Sequence, residues 1–291
     1  MIPLLLALLA SAVSLTEGIL IKKRDGTYDK EGFCFTAIVS FFSMLFFVVK
    51  NLITVGRPFS FSPELLPYAI AGGICYASAS FLTYIALGCG SFTLSMLILS
   101  YGGLFSIGYG LLFLKETVSP FAIAGIVAIL VSLFLTRPAK KEGEEKKKVT
   151  LKWIVSIGIS FVGSGMLGVL MRAQQIRFET VHDNDFMIIT LALSALLLFI
   201  AGAVRNKREL GAAIRAGGIW AVLAGVSNGV TNGLSLVVTT MLPLTLVSPI
   251  KAGSKILLSF LVSLFLFREK FSLRQLIGVG MGTAALILLQ F

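Results

Sequence analysis

Residues 247–282 read VSPIKAGSKILLSFLVSLFLFREKFSLRQLIGVGMG. An apolar run gives way to three charges, Arg268, Glu269 and Lys270, and then to a second apolar run. A helix needs about 20 apolar residues to cross the hydrocarbon of a bilayer. A closed β-barrel is the other way to span it, and its strands would alternate apolar with polar. These runs are apolar all round, so the stretch predicts two spanning helices joined by a charged hinge. Lys251 and Lys255 sit four residues apart inside the first run. A cation in the hydrocarbon costs several kcal/mol unless it is paired or faces water, which makes both lysines candidates for function.

Outward from this stretch the pattern repeats. The apolar runs are 2–21, 32–54, 67–88, 91–114, 119–136, 151–171, 186–204, 217–242, 244–267 and 272–291. Of 291 residues, 56% are hydrophobic and only 13% charged, where a soluble domain carries about 25%. The expectation is an all-α integral membrane protein with ten transmembrane helices. The net charge of +11 does not point to nucleic acid, because the cations cluster in short segments between apolar runs. Cys34, Cys75 and Cys89 lie in or beside apolar runs without CxxC spacing, and His182 stands alone in a polar segment. They imply neither a disulfide framework nor a metal site, and no cofactor is expected. Residues 1–14 lack the basic start of a signal peptide, so the first run is expected to remain as a span. The sequence has no phosphate-binding loop, no metalloprotease motif and no Ser/His/Asp arrangement, and an enzyme is not expected.

Residues 137–150, RPAKKEGEEKKKVT, are charged and carry Pro and Gly. They read as a linker between a first five-helix repeat, 1–136, and a second, 151–291. Shifting the second half back by 153 sets Leu264 on Leu111, Arg268 on Lys115, Glu269 on Glu116, Ser272 on Ser119 and Gly278 on Gly125. Ala224 and Gly225 fall on Ala71 and Gly72; at an offset of 150, Gly168 falls on Gly18 and Arg172 on Lys22. Five is odd, so the second copy must enter the membrane from the opposite face. Inverted repeats of this kind belong to secondary transporters, whose substrate sites lie near the midplane between the repeats. Counted by connection, 18 Lys and Arg residues fall on one face and five on the other (Lys50, Arg57, Lys115, Arg172 and Arg177). The positive-inside rule then predicts a plasma (inner) membrane protein with both termini extracytoplasmic.

Within the spans, Lys251 and Lys255 share one helix face, and Lys255 lies near the middle of its run. The bland alternative is a structural pairing with a carbonyl or carboxylate of another helix. Glu17 is the carboxylate well inside a span; it could hold an amine or a coupling proton, or snorkel toward Lys22. Asn228 and Asn232 share a face of the eighth span, beside Gly225, Gly229 and Gly233. The glycines read as a helix-packing face, and the asparagines as interhelical glue or cavity lining. Tyr76, Tyr84 and Tyr101 offer phenolic donors beside apolar rings, as an organic ligand would need.

The closing hinge, with Phe265, Glu269, Lys270, Ser272, Gln275, Gly278 and Gly282, resembles the end of an EamA-type repeat of the drug/metabolite transporter superfamily. The Ser248-Pro249 entry to the ninth span and a degenerate first copy at 112–125, LFLKETVSPFAIAG, carry the same resemblance. It implies a central cavity lined by spans 1, 3, 4, 6, 8 and 9, with 2, 5, 7 and 10 outside. Many members of that family are taken to hold both termini in the cytoplasm, the reverse of the charge count here. Glu17 resembles in position the proton- and drug-binding glutamate in the first span of the related small multidrug resistance proteins. The functional expectation is a transporter of a small organic metabolite by alternating access. A carboxylate-bearing or zwitterionic solute such as an amino acid fits two cavity lysines and Glu17. The alternatives are a membrane-embedded receptor or enzyme that uses the cavity without transport, and an efflux transporter for hydrophobic cations. The expected partners are a small-molecule substrate, the lipid bilayer and a coupling proton or ion, with no nucleic acid, in a monomer or weak homodimer.

Overall fold

The computed structural model describes residues 2–22, 32–89, 99, 102–135, 150–205, 207–265 and 272–289. Among the described residues it holds ten α-helices, one 3-10 turn and no strand. The helices are α1 (Ile2–Lys22), α2 (Gly32–Val55), α3 (Leu66–Cys89), α4 (Gly103–Leu112), α5 (Pro120–Leu135), α6 (Leu151–Phe178), α7 (Asp183–Arg205), α8 (Lys207–Met241), α9 (Leu244–Phe265) and α10 (Leu273–Leu288). Five of them, α2, α3, α6, α7 and α8, contain stretches long and apolar enough to cross a membrane. Their outward faces are apolar: Phe41, Leu52, Ile74, Ile159, Val162, Leu196, Phe199 and Leu223 are all exposed. Serine and threonine go inside instead, with Ser40, Ser43, Ser132, Ser160, Thr190, Ser194 and Thr245 buried.

Local chemistry sets the helix ends. Pro120 opens α5 behind Ser119, whose Oγ accepts from the Ala122 amide, as a first-turn proline and its cap should. Ser272 heads α10 in a capping box with Gln275. Thr150 caps α6 through the Trp153 amide. Two successive left-handed residues, Glu179 (φ 49°) and Thr180 (φ 66°), stop α6. Pro243 lies between α8 and α9, within the short turn expected there.

Where the structure departs from the apolar runs, polarity is the reason. The run 151–171 predicts an end at Met171, with Arg172 in a connection; α6 continues to Phe178 and carries Arg172, Gln174 and Gln175 into the bundle. α7 begins at Asp183 rather than at Phe186, and α8 at Lys207 rather than at Gly217. Backbone hydrogen bonding continues past the last apolar residue wherever polar side chains find partners or water. Much of the fourth predicted span, the linker 137–149 and the hinge 266–271 lie outside the described residues.

The helices pack crosswise. Each helix of the first half, α1 to α5, makes its most extensive contact with one after the linker: α1 with α8, α2 with α7, α3 with α6, α4 with α9 and α5 with α10. α2 also lies along α8, and α3 along α7. Glycine permits the closest of these approaches. A Cβ on Gly225 would stand 2.7 Å from the Val39 carbonyl oxygen, and one on Gly229 would stand 2.8 Å from Phe46 Cβ. The glycine face of α8 is therefore pressed onto α2, as the small-residue spacing predicts.

A carboxylate ties the start of α9 to the loop before α5. Lys115 turns left-handed (φ 50°), and the Glu116 amide donates to the Gly110 carbonyl. The Glu116 carboxylate then accepts from the Leu244 amide, the Thr245 amide and the Thr245 hydroxyl, each at 2.9 Å. An anion there satisfies first-turn amides and meets the positive end of the helix dipole.

Candidate functional site

α8 carries a polar stripe at helical spacing: Asn228, Asn232, Ser235 and Thr239. Its neighbours reach that stripe at three levels.

At the first level, Asn228 Oδ1 accepts from Ser43 Oγ of α2 at 2.9 Å, from the Tyr76 hydroxyl of α3 at 2.5 Å, and from Asn232 Nδ2 at 2.8 Å. Three helices thus meet on one amide oxygen, while Asn228 and Asn232 are themselves only partly buried. On the neighbouring side of α8, Ser227 hydrogen-bonds Thr16 of α1 and donates to the Val13 carbonyl.

At the second level, Lys251 Nζ of α9 donates to Ser235 Oγ at 2.9 Å, and Ser235 Oγ donates to the Thr231 carbonyl. Ser11 of α1 reaches the Lys251 carbonyl at 3.4 Å. Lys251 therefore stands where α1, α8 and α9 meet.

At the third level, α6 contributes Arg172, whose Nη1 donates to the Thr239 carbonyl at 2.6 Å. In the same region Gln175 Nε2 donates to the Leu236 carbonyl at 3.2 Å and to Asp183 Oδ2 at 2.9 Å, and Gln174 Nε2 donates to Asp183 Oδ1 at 2.7 Å. Beyond them Asp185 accepts from the Ser60 amide and from Asn51, and it pairs with His182 at 3.1 Å. His182 thus anchors the start of α7, and among the described residues no group of His, Cys, Asp or Glu could hold a metal ion.

Of the residues singled out from the sequence, Asn228, Asn232, Tyr76 and Lys251 come together along this stripe. Tyr84 does not: it is buried in a separate cluster with Phe35, Val39, Ala221 and Ala224, two turns from Tyr76 on α3. Tyr101 lies outside the described residues. Glu17 and Lys255 are positions on α1 and α9 whose side chains lie outside them, with Lys255 midway along its helix. Sequence reasoning missed Ser43, Ser235, Arg172, Gln174, Gln175 and Asp183. Two of these had a signal, since Arg172 and Gln175 continue at i+7 the face of Gly165 and Gly168.

No family model and no curated protein matches the chain. Solved structures do match. One, a protein crystal structure, superposes with a TM-score of 0.65 at 14% sequence identity, covering 99% of this chain and 94% of that one. The ten-helix arrangement described above is thus similar in fold to a protein seen by crystallography.

Proposed function

We propose that the chain is a secondary transporter in the cell membrane. It moves a small carboxylate-bearing or zwitterionic metabolite by alternating access between two inverted five-helix repeats, 1–136 and 151–291. The observation that carries this reading is the exchange of partners across the linker. If α1 to α5 correspond to α6 to α10, the contact of α1 with α8 becomes that of α6 with α3, and the contact of α2 with α8 becomes that of α7 with α3. Both members of each pair are present, as a two-fold axis between repeats requires. Individual residues support the same relation. Gly125 abuts the Ala285 carbonyl, and Ser132 donates to the Gly278 carbonyl. These are one pair of positions met twice, since 125 and 132 become 278 and 285 at the offset of 153. Ser40 and Ser194, joined by their hydroxyls, are related in the same way to within a residue.

Such a repeat suits rocking of one half against the other around a ligand at their interface. The polar stripe of α8 lies at such an interface, reached by hydrogen bonds from α2, α3, α6 and α9. Lys251 supplies a cation there, which favours an anionic group on the ligand. The resemblance to EamA-type transporters agrees with this reading, as do the five long apolar helices.

The test is solute flux in vesicles reconstituted with purified protein, using radiolabelled amino and organic acids. Lys255→Ala is expected to abolish binding and flux at near-normal expression, with partial recovery in Lys255→Arg, because a planar guanidinium replaces a compact ammonium poorly. Glu17→Gln is expected to change the response of flux to an imposed pH gradient. Ligand binding without flux in the wild type would overturn transport in favour of a receptor. Unchanged flux in Lys255→Ala would move the site to Asn228, Asn232 and Tyr76.

A further inference from the structure

The proline after α8 leaves a carbonyl without its helical N–H donor. Pro243 has no N–H to give to the Thr239 oxygen four residues earlier, and Arg172 Nη1 donates to that oxygen instead. Capping a helix end explains one bond of a five-donor fork. It leaves Arg172 Nε buried without a partner. Arg172 forms no ion pair among the described residues, so it brings its charge into the bundle without a carboxylate. Asp183 is engaged by the amides of Gln174 and Gln175. A cation in a membrane helix without a carboxylate is costly as structure alone, and a guanidinium is the side chain that best matches a carboxylate in plane.

Two more observations lie near this contact. Lys251 reaches Ser235, one turn from Thr239. Gln174 and Gln175 are 0% and 3% exposed, yet the Oε1 of each is buried without a donor. The orphan acceptor of Gln175 thus lies one turn along the same face of α6 as the orphan donor of Arg172. A bare anion would satisfy Arg172 and leave the glutamine oxygens unpaired. A carboxylate with an amino or hydroxyl group beside it can satisfy both.

We infer that residues 235–239 of α8 hold the head of an α-amino or α-hydroxy acid. Arg172 and Lys251 take the carboxylate, and Gln175 Oε1 accepts from the α-substituent. This rests on the transporter reading and assigns the ligand class of its site.

The experiment is thermal stabilisation of the purified full chain in neutral detergent by four probes related to one side chain, with inorganic phosphate as a fifth. The probes are L-leucine, its α-hydroxy analogue, 4-methylpentanoate (carboxylate only) and 3-methylbutylamine (amine only). A ligand that binds only the folded chain raises its apparent stability, so the concentration dependence reports affinity. Leucine or the hydroxy acid is expected to stabilise most, 4-methylpentanoate less, and the amine and phosphate not at all. Arg172→Lys can keep a donor on Thr239 but has no Nε–H; it is expected to bind the leading probe roughly thirtyfold more weakly or worse. Gln175→Met is expected to erase the preference over 4-methylpentanoate. Three outcomes would overturn the inference: no stabilisation of the wild type by any α-substituted acid, stronger stabilisation by phosphate or the amine, or unchanged affinity in Arg172→Lys. Flux in vesicles is measured separately. Arg172-dependent binding without flux removes transport and keeps this site, whereas wild-type flux in Arg172→Lys removes the site and keeps transport.

Discussion

Removing the Glu116 carboxylate should loosen the start of α9 more than any other single change in a loop. Three donors at 2.9 Å converge on it, two of them first-turn amides of α9. Leu244 and Thr245 are 1% and 0% exposed, so water replaces the carboxylate poorly. A hydrogen bond to a charged group contributes about 1.5–3 kcal/mol, and bonds sharing one acceptor group add less than fully. Glu116→Ala is therefore expected to cost about 3–4 kcal/mol. Glu116→Gln keeps one acceptor oxygen but turns an NH2 toward an amide, so it is expected to cost about half as much. For a chain of this size, each kcal/mol lowers the melting temperature by about 2–4 °C. The assay is thermal unfolding of detergent-purified protein, checked by denaturant titration in mixed micelles. Gly110→Ala should act in the same direction, since its Cβ would stand 2.6 Å from Glu116 Oε2 and 2.7 Å from Thr245 Cγ2. A melting temperature in Glu116→Ala equal to that of the wild type, or Gln costing more than Ala, would refute this account of the contact.

Gly229→Leu should lower membrane yield and stability, because its Cβ already meets Phe46 at 2.8 Å and a leucine would force α8 off α2; wild-type yield would mean the face opens away from α2. Gly225→Ala should cost at least 1–3 kcal/mol, roughly the range for overpacking, because the obstructing atom is the Val39 backbone oxygen; a neutral melting temperature would contradict that. A reporter fused after Phe291 should behave as extracytoplasmic and one inserted near Gly143 as cytoplasmic, from the Lys and Arg distribution; a cytoplasmic C-terminus would reverse the orientation and leave the helix packing unchanged.

The helices were legible because an apolar run and a helix share a cause at these lengths. The bounds of α2, with 32–54 expected and Gly32–Val55 found, differ by a single residue. The caps at Ser119 and Ser272 are as local in origin, since a hydroxyl before a first turn has one obvious use. α6 was not, because hydropathy ends at Met171 whereas the helix ends at two left-handed residues. That misreading put Arg172 in a connection and hid it as a candidate site residue. Asn228 and Tyr76 could be named separately, but their meeting depends on how α3 and α8 lie relative to each other. Glu116 was visible only as a position matched by Glu269. Its partners lie more than 120 residues away, beyond any local pattern.

The crosswise pairing of helices has a consequence for how this chain is made. If the chain is the membrane transporter proposed above, α1 to α5 enter the bilayer before any helix beyond residue 150 is made. Ser40 waits for Ser194, Ser43 for Asn228, and the Ala79 carbonyl for Ser160. Until those partners arrive, hydroxyls of the nascent half must turn to their own backbone or to insertion machinery, since lipid offers them nothing. α1 waits longest, because its main partner α8 begins only at Lys207. Contacts so distant in sequence close slowly. The early helices must therefore be apolar enough to be retained singly, yet not so tightly joined that later arrivals cannot slide between them. The two requirements meet in helices that are greasy outside, hydroxylated inside and notched with glycine.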